Sequence, residues 1–277
     1  ARFRAYGGDR PVIALAIKWC EDHLPLPADP PVLVHGDFRM GNLLVDAMGL
    51  AAVLDWELAH RGDHHEDLAY GCMTVWRFAR PDLPAFGLGA LEELFAAYEG
   101  AGGAPVDSAR FHFWLVYRTL WWALGCLGMG AAWRDNIDRS LERVVVARRT
   151  AEQELDLLML LEEYAPDAER ARPLPPRGAA AAPAQGEPTA AELVTAVREW
   201  LASDIKPAAQ GRDRFMAAVA MNALGIAARE LDRPVAYADK VLAEALLSGQ
   251  RTLAEPGLLA RLRRQCLDKL AGDMPKY

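Results

Sequence analysis

Three oxygen-bearing side chains stand in an order that suits work on phosphate. Asp37 follows His35-Gly36, Asn42 comes five residues later, and Asp55 closes the apolar run Ala51-Ala-Val-Leu54. Carboxylate and amide oxygens, few in number, are the ligands that Mg²⁺ takes when phosphate and water complete its shell. Phosphoryl transfer passes through a loose transition state, so its catalysis is chiefly positioning and charge neutralisation. One Asp must receive or orient the acceptor hydroxyl, while an Asn and a second Asp hold the cation against nucleotide phosphates. Asp37, Asn42 and Asp55 match those three roles in order and spacing.

Such residues need elements to aim them. Pro31 to His35 reads as a short buried strand that delivers His35-Gly36-Asp37 into a loop. Asn42 to Val45 and Leu50 to Leu54 flank Asp46-Ala-Met-Gly49, the pattern of a hairpin. Both carboxylates and the amide therefore fall at strand ends. Upstream, Pro11 opens a helix whose apolar residues are Ile13, Ile17, Cys20 and Leu24. From Asp63 onward the pattern is almost wholly helical, with helices expected at Glu66–Arg80, Ala90–Glu99, Ser108–Met129 and Ile137–Glu163. The expected class is α+β, predominantly α.

On these residues the segment resembles the aminoglycoside phosphotransferase/choline kinase-like family, part of the protein-kinase-like superfamily. The H-G-D-x-x-x-x-N motif is met at His35, Gly36, Asp37 and Asn42, and the D-[FW]-[EG] motif at Asp55-Trp56-Glu57. The trailing motif is met at Gly62-Asp63 and Asp67-Leu68-Ala69, with His64 where the family usually carries Pro. The resemblance implies a kinase-like C-terminal lobe with short β-hairpins, using ATP and Mg²⁺. It implies that Asp37 is the catalytic base and that Asn42 and Asp55 bind the metal. His35 would brace the loop and Asp67 would anchor it. Arg39 stands where protein kinases carry a lysine that meets the γ-phosphate; it equally reads as a surface loop charge. Leu33 to Asn42 and Val53 to Ala59 further resemble phosphotransferases related to the kinase domains of some acyl-CoA dehydrogenase family proteins. That likeness implies a hydroxyacyl-CoA acceptor. An aminoglycoside, choline or a sugar is the alternative acceptor, and a catalytically inactive scaffold that binds a partner is the alternative role.

Kinases of this superfamily place a nucleotide lysine and a phosphate loop about a hundred residues before the catalytic loop. Here 34 residues precede His35, and Lys18 is the sole upstream lysine. The expectation is that the N-terminal lobe is absent from this chain and that the chain alone is inactive. The lobe would then come from a longer native protein, or the chain is a natural truncation; a homo-oligomer is a further possible partner arrangement.

Composition sets the outer limits. The 277 residues are 52% hydrophobic and 25% charged, with a net charge of −7, which excludes a disordered chain. The acidic balance gives no footprint for nucleic acid or for an anionic membrane. The longest uncharged apolar run, Thr119 to Trp133 between Arg118 and Arg134, is too short to span a bilayer. Cys20, Cys72, Cys126 and Cys266 form no C-x-x-C pair and read as buried thiols of a cytoplasmic protein. Six prolines between Tyr164 and Pro188 mark a linker. The expected organisation is a phosphotransferase lobe at 1–163, a Pro/Ala-rich linker at 164–188 and a helical accessory domain at 189–277. That last domain opens on the capping box Thr189-Ala-Ala-Glu192, with further helices at Arg212–Leu231, Ala236–Ser248 and Pro256–Ala271.

Three other groupings carry residue types that could serve a function. His60, His64 and His65 with Glu66 are expected to form a solvated loop rather than a metal site. Gly125, Gly128 and Gly130 belong to a helical run, where close packing explains them better than phosphate binding. Trp114, Trp121 and Trp122 read as core, with an acceptor pocket as the alternative.

Overall fold

In the computed structural model, residues 3, 10–28, 30–135, 137, 138, 146–176, 190–233, 235 and 238–277 are described. The architecture is α+β and predominantly helical, with two two-stranded antiparallel sheets. It divides into two compact units, Ala16–Trp121 and a second made of Ala1–Leu15 with Trp122–Tyr277. The divisions fall inside helix α1 (Pro11–Asp22) and inside the long helix α4 (Ser108–Arg134). The stretch read as a linker is therefore not where the packing divides.

In the unit 16–121, β1 (Val32–Val34) pairs with β4 (His60–Gly62), Val34 opposite His60. The β2 (Leu43–Asp46) and β3 (Gly49–Val53) hairpin turns at Ala47 and Met48, where the Asp46 carboxylate accepts the Met48 N–H at 2.7 Å. Strand β4 escapes a reading from sequence because His-Arg-Gly lacks the β-branched residues that favour strands. It pairs only because β1 offers a free edge. Helix α2 (His64–Gly71) starts at Asp63, whose carboxylate accepts the His65 N–H and so satisfies one of the orphan donors of the first turn.

Helix α2 stops at Gly71, well short of the expected Arg80. The Arg77 guanidinium caps it, donating to the Cys72 carbonyl at 3.0 and 2.7 Å. Beyond it Phe78 and Ala79 take left-handed backbone, which no helix tolerates. Helix α3 (Leu91–Gly100) follows, and α4 runs unbroken through Gly125, Gly128 and Gly130. The core of this unit gathers Trp19, Val34, Leu68, Tyr70, Met73, Phe111 and Val116.

In the other unit, α5 (Thr150–Leu161) packs along α11 (Leu258–Asp273). Every described residue of α5 from Thr150 to Leu158 is buried, including Glu152, Gln153, Glu154 and Asp156. Glu154 is neutralised by Lys269, 3.0 Å away and itself buried, with Arg10 at 3.7 Å. Of the helix expected at Ile137–Glu163, residues 139–145 lie outside the described residues.

The first half of the Pro/Ala-rich stretch is folded. A short helix, α6 (Asp167–Arg170), places Glu169 to accept the Gly257 N–H at 2.6 Å, and Arg264 donates to the Pro175 carbonyl at 3.1 Å. Residues 177–189, with the Thr189 capping box, lie outside the described residues. Helix α7 (Ala190–Trp200) runs into a wider turn at Leu201–Ile205 and a last short turn, α8 (Lys206–Ala208). It packs along α9 (Gly211–Asp232). Helix α10 (Lys240–Leu247) is capped by Asp239, which accepts the Leu242 N–H at 3.0 Å.

Candidate functional site

The loop after β1 is held by its own backbone before any catalytic group is considered. Gly36 has φ +83°, and a Cβ there would lie 2.6 Å from the Leu58 carbonyl oxygen, so glycine alone fits. The His35 and Gly36 N–H groups both donate to Asp67, at 2.6 Å to Oδ2 and 2.9 Å to Oδ1. One carboxylate at the start of α2 thus fixes two successive amides of the loop.

His35 ties this loop to the segment carrying Asp55. Its Nδ1 accepts the Asp37 N–H at 3.1 Å, which assigns the ring proton to Nε2, donating to the Leu54 carbonyl at 2.8 Å. The Leu54 N–H donates to the Asn42 carbonyl at 2.8 Å. The residue before Asp55 is therefore bonded to the loop through both its backbone groups. The Trp56 ring packs on His35 at 4.6 Å.

Asn42 is buried and donates its amide to the Asp37 carboxylate at 2.6 Å and to the Asp37 carbonyl at 2.9 Å. With both amide hydrogens engaged, its side-chain oxygen is the atom left for a cation. Arg39 donates Nε to the other Asp37 oxygen at 3.2 Å, and its guanidinium lies 4.8 Å from the centre of the Trp76 ring. Asp55 is exposed and has left-handed backbone, φ 65° and ψ 62°. Among the described residues its carboxylate has no hydrogen-bond or ion-pair partner. A strained, unpaired carboxylate and a buried amide oxygen are donor types that suit a hard divalent cation.

The structure thus links Asp37 to His35, Arg39 and Asn42, joins His35 to Asp67, and brings Asp55 to the loop through its neighbour Leu54. Four further residues surround the site without having been read from sequence. Tyr70 is fully buried and near enough to Asp37 to feel its charge. Burial first, then the Asp37 charge, pushes its pKa upward. Arg118 donates to the Gly36 carbonyl and, at 3.2 Å, to Glu66. Glu66 also meets the exposed His60 at 3.2 Å. Burial raises the Glu66 pKa against the pull of Arg118 and His60. Trp76 supplies the face under Arg39. The one signal available is Arg118 itself, a cation flanked by apolar residues in mid-helix, because a buried cation must find partners.

The histidine cluster corrects the solvated-loop expectation. His60 is on β4, His65 is buried and His64 stacks on Tyr98 at 5.7 Å. Asp63, His64 and His65 converge closely enough for a metal. The ligand atoms of Asp63 and His65 are already engaged, however. His65 Nδ1 donates to Asp63 at 2.7 Å, and its Nε2 accepts the Asp107 N–H at 2.9 Å. Asp63 also receives Arg110 and, at 3.0 Å, Trp114 Nε1. Burial opposes the Asp63 charge, but these donors hold its carboxyl well below the usual range. The cluster is a joint between α2 and α4. Trp114, half-buried and hydrogen-bonded there, is part of that joint rather than plain core.

The chain's first part also matches a known family. Residues 2–107 match the phosphotransferase enzyme family. This phosphotransferase-type segment holds every motif residue from His35 to Asp67. Over 114 residues the chain is 34% identical to acyl-CoA dehydrogenase family member 10 of Mus musculus, covering 37% of this chain and 11% of the relative. Over 122 residues it is 31% identical to acyl-CoA dehydrogenase family member 11 of Gallus gallus, covering 39% and 15%. A probable acyl-CoA dehydrogenase, IBR3, of Arabidopsis thaliana is 27% identical over 118 residues, covering 36% and 14%. The chain spans a small fraction of the length of these relatives.

Proposed function

We propose that the protein is a phosphotransferase that moves the γ-phosphoryl group of ATP to the hydroxyl of a small molecule. The observation that carries this is the loop in which Asp37 is oriented by Asn42 and His35 while Asp55 stays unpaired. Asn42 and Asp55 would hold Mg²⁺, which when bound to ATP neutralises charge on the phosphates. The Asp37 carboxylate accepts the proton of the acceptor hydroxyl as the hydroxyl oxygen bonds to the γ-phosphorus, while the bond from that phosphorus to the β–γ bridging oxygen breaks and ADP leaves. Arg39 leaves Asp37 to meet the transferring phosphate, and Trp76 provides the face that keeps its guanidinium nearby. His35 and Asp67 hold the loop so that Asp37 does not have to be reordered at each turnover.

The proposed acceptor is a hydroxyacyl-CoA. Two supports for it are the names of the relatives, which are acyl-CoA dehydrogenase family members, and the likeness around Leu33–Asn42. A cytoplasmic setting suits four buried free thiols and the absence, among the described residues, of a helix able to cross a membrane.

The test is Mg·ATP consumption by the full-length protein with a panel of a hydroxyacyl-CoA, an aminoglycoside, choline and a sugar, for the native sequence and for Asp37→Ala. Turnover with the hydroxyacyl-CoA that Asp37→Ala abolishes is the expected result. Equal turnover in both proteins defeats the assignment of Asp37. A full-length protein that neither binds nor turns over Mg·ATP defeats the phosphotransferase reading and favours a scaffold.

A further inference from the structure

Helix α4 carries one charged side chain into the apolar heart of its unit. Arg118 is 4% exposed, and Val116, Thr119 and Leu120 around it are buried. A guanidinium so placed costs several kcal/mol in lost hydration unless its surroundings replace the water. They do so on every side. One terminal nitrogen donates to the Gly36 carbonyl, and the other donates to Glu66 at 3.2 Å. The Tyr70 ring lies 4.5 Å from the guanidinium carbon and the Trp121 ring 4.3 Å. Only Nε has no hydrogen-bond partner.

The loop bond matters most. Gly36 has its N–H fixed by Asp67 and its carbonyl fixed by Arg118, so both peptide planes flanking Gly36 are set from outside the loop. The second of these planes joins Gly36 to Asp37. Rotation of that plane would swing the Asp37 Cα and carboxylate away from Asn42. The same guanidinium packs on Tyr70, which lies near enough to Asp37 to feel its charge. Arg118 thus meets the Asp37 environment from two directions. It also lies beyond the segment 2–107 that matches the phosphotransferase family.

We propose that Arg118 is a positioning residue for the phosphoryl-transfer loop, holding the Gly36–Asp37 peptide through the Gly36 carbonyl, with Glu66 as the counter-charge that makes its burial tolerable. Lysine cannot replace it, because a single ammonium cannot serve the carbonyl, the carboxylate and two ring faces at once. The proposal rests on the phosphotransferase reading for its kinetic part only.

The experiment compares the full-length protein with its Arg118→Met and Arg118→Lys variants, with Asp37→Ala as the inactive control. Hydrogen–deuterium exchange is followed on peptides covering 34–43 and 258–273, and Mg·ATP turnover is measured with water or the acceptor found above. Loss of one anchoring bond predicts roughly tenfold faster exchange in 34–43, with 258–273 unchanged. Misplacement of Asp37 predicts a fall in kcat of about 100-fold with the KM for Mg·ATP within about twofold. Arg118→Lys keeps a cation beside Glu66 and carries the test should Arg118→Met fail to fold; its losses are expected to be of the same kind and smaller. Unchanged exchange in 34–43, or exchange that rises equally in both peptides, overturns the positioning role. So does a rise in KM with kcat preserved. Should the unsubstituted full-length protein show no turnover, the phosphotransferase reading fails alone, and the exchange result still decides whether Arg118 holds the loop.

Discussion

Asp67→Asn removes one oxygen and one charge from the group that holds the loop. In the native protein the two carboxylate oxygens accept the His35 and Gly36 N–H groups at 2.6 and 2.9 Å. Asparagine keeps one acceptor and offers an NH₂ to the other amide, so one bond is lost and a donor faces a donor. A hydrogen bond to a charged group contributes about 1.5–3 kcal/mol, and leaving a buried donor unmade costs about 1–3 kcal/mol. Asp67 is only half-buried, and water can reach part of the site, so the expected net loss is about 2 kcal/mol, near the middle of those ranges. At about 1.4 kcal/mol per factor of ten, one of the two amides should exchange about 30-fold faster. The assay is amide hydrogen exchange resolved at His35 and Gly36, with the unit's unfolding followed in urea. If both amides keep their native exchange rates in Asp67→Asn, Asp67 does not hold the loop and the reasoning fails. Turnover should fall with the exchange effect, since Asp37 is the next residue.

Other changes test separate links. Gly36→Ala should destabilise by about 1–3 kcal/mol from its left-handed backbone alone, and the contact with Leu58 adds to that; urea midpoints read it. Asp55→Gly should raise the melting temperature, because it relieves about 1 kcal/mol of left-handed strain, while abolishing Mg·ATP turnover; a lower melting temperature would show that Asp55 supports the fold. The folded pKa of Asp63 lies below its ordinary value of 3.8, so its charge adds stability above that pH that is lost as the pH falls further. Asp63→Asn should flatten the acid limb of a stability–pH curve. His60 is shifted the other way, chiefly by its bond to the Leu58 carbonyl, so protonated His60 adds stability below its ordinary 6.5 that disappears as the pH rises through the raised value. His60→Gln should remove that slope near neutrality. Lys269→Met leaves Glu154 buried with Arg10 as its remaining cation among the described residues and should cost about 3 kcal/mol, whereas Lys269→Met with Glu154→Leu should cost far less.

What the sequence exposes and what it conceals divide along physical lines. His35, Asp37 and Asn42 were legible because one tight loop needs them at fixed spacing, and the β2–β3 hairpin because its strands are neighbours in the chain. Asp67 was reached only through resemblance, since nothing local says that its carboxylate will meet amides at His35 and Gly36. Strand β4 was missed because its pairing with β1 comes from across the fold, not from the preferences of His60, Arg61 and Gly62. The helix expected to run to Arg80 ends at Gly71 because Arg77 turns back to cap Cys72, a bond that periodicity does not encode. The Pro/Ala-rich stretch misled for a related reason. Glu169 finds the Gly257 amide far along the chain, and composition alone cannot register that partner.

The same division explains how the site is built. The groups that would touch phosphate come from two short loops, and their mutual geometry depends on backbone bonds between Leu54, Asn42 and His35. Those bonds are weak in isolation. They are given direction by two charged side chains rooted in helices, Asp67 in α2 and Arg118 in α4, which grip the donor and acceptor ends of the Gly36 residue. Helices suit this task because their own backbone bonds are satisfied internally, so a side chain projecting from them can hold a loop without being displaced by it. Glu66 and Asp67 are consecutive, so α2 supplies both the carboxylate on the loop amides and the carboxylate that balances Arg118. A shift of α2 would loosen both grips together. Asp55 escapes this framing; among the described residues its carboxylate has no partner, and its backbone is strained. Placing the unsatisfied group at the end of a rigid frame is what lets a loop residue bind a ligand with little reordering.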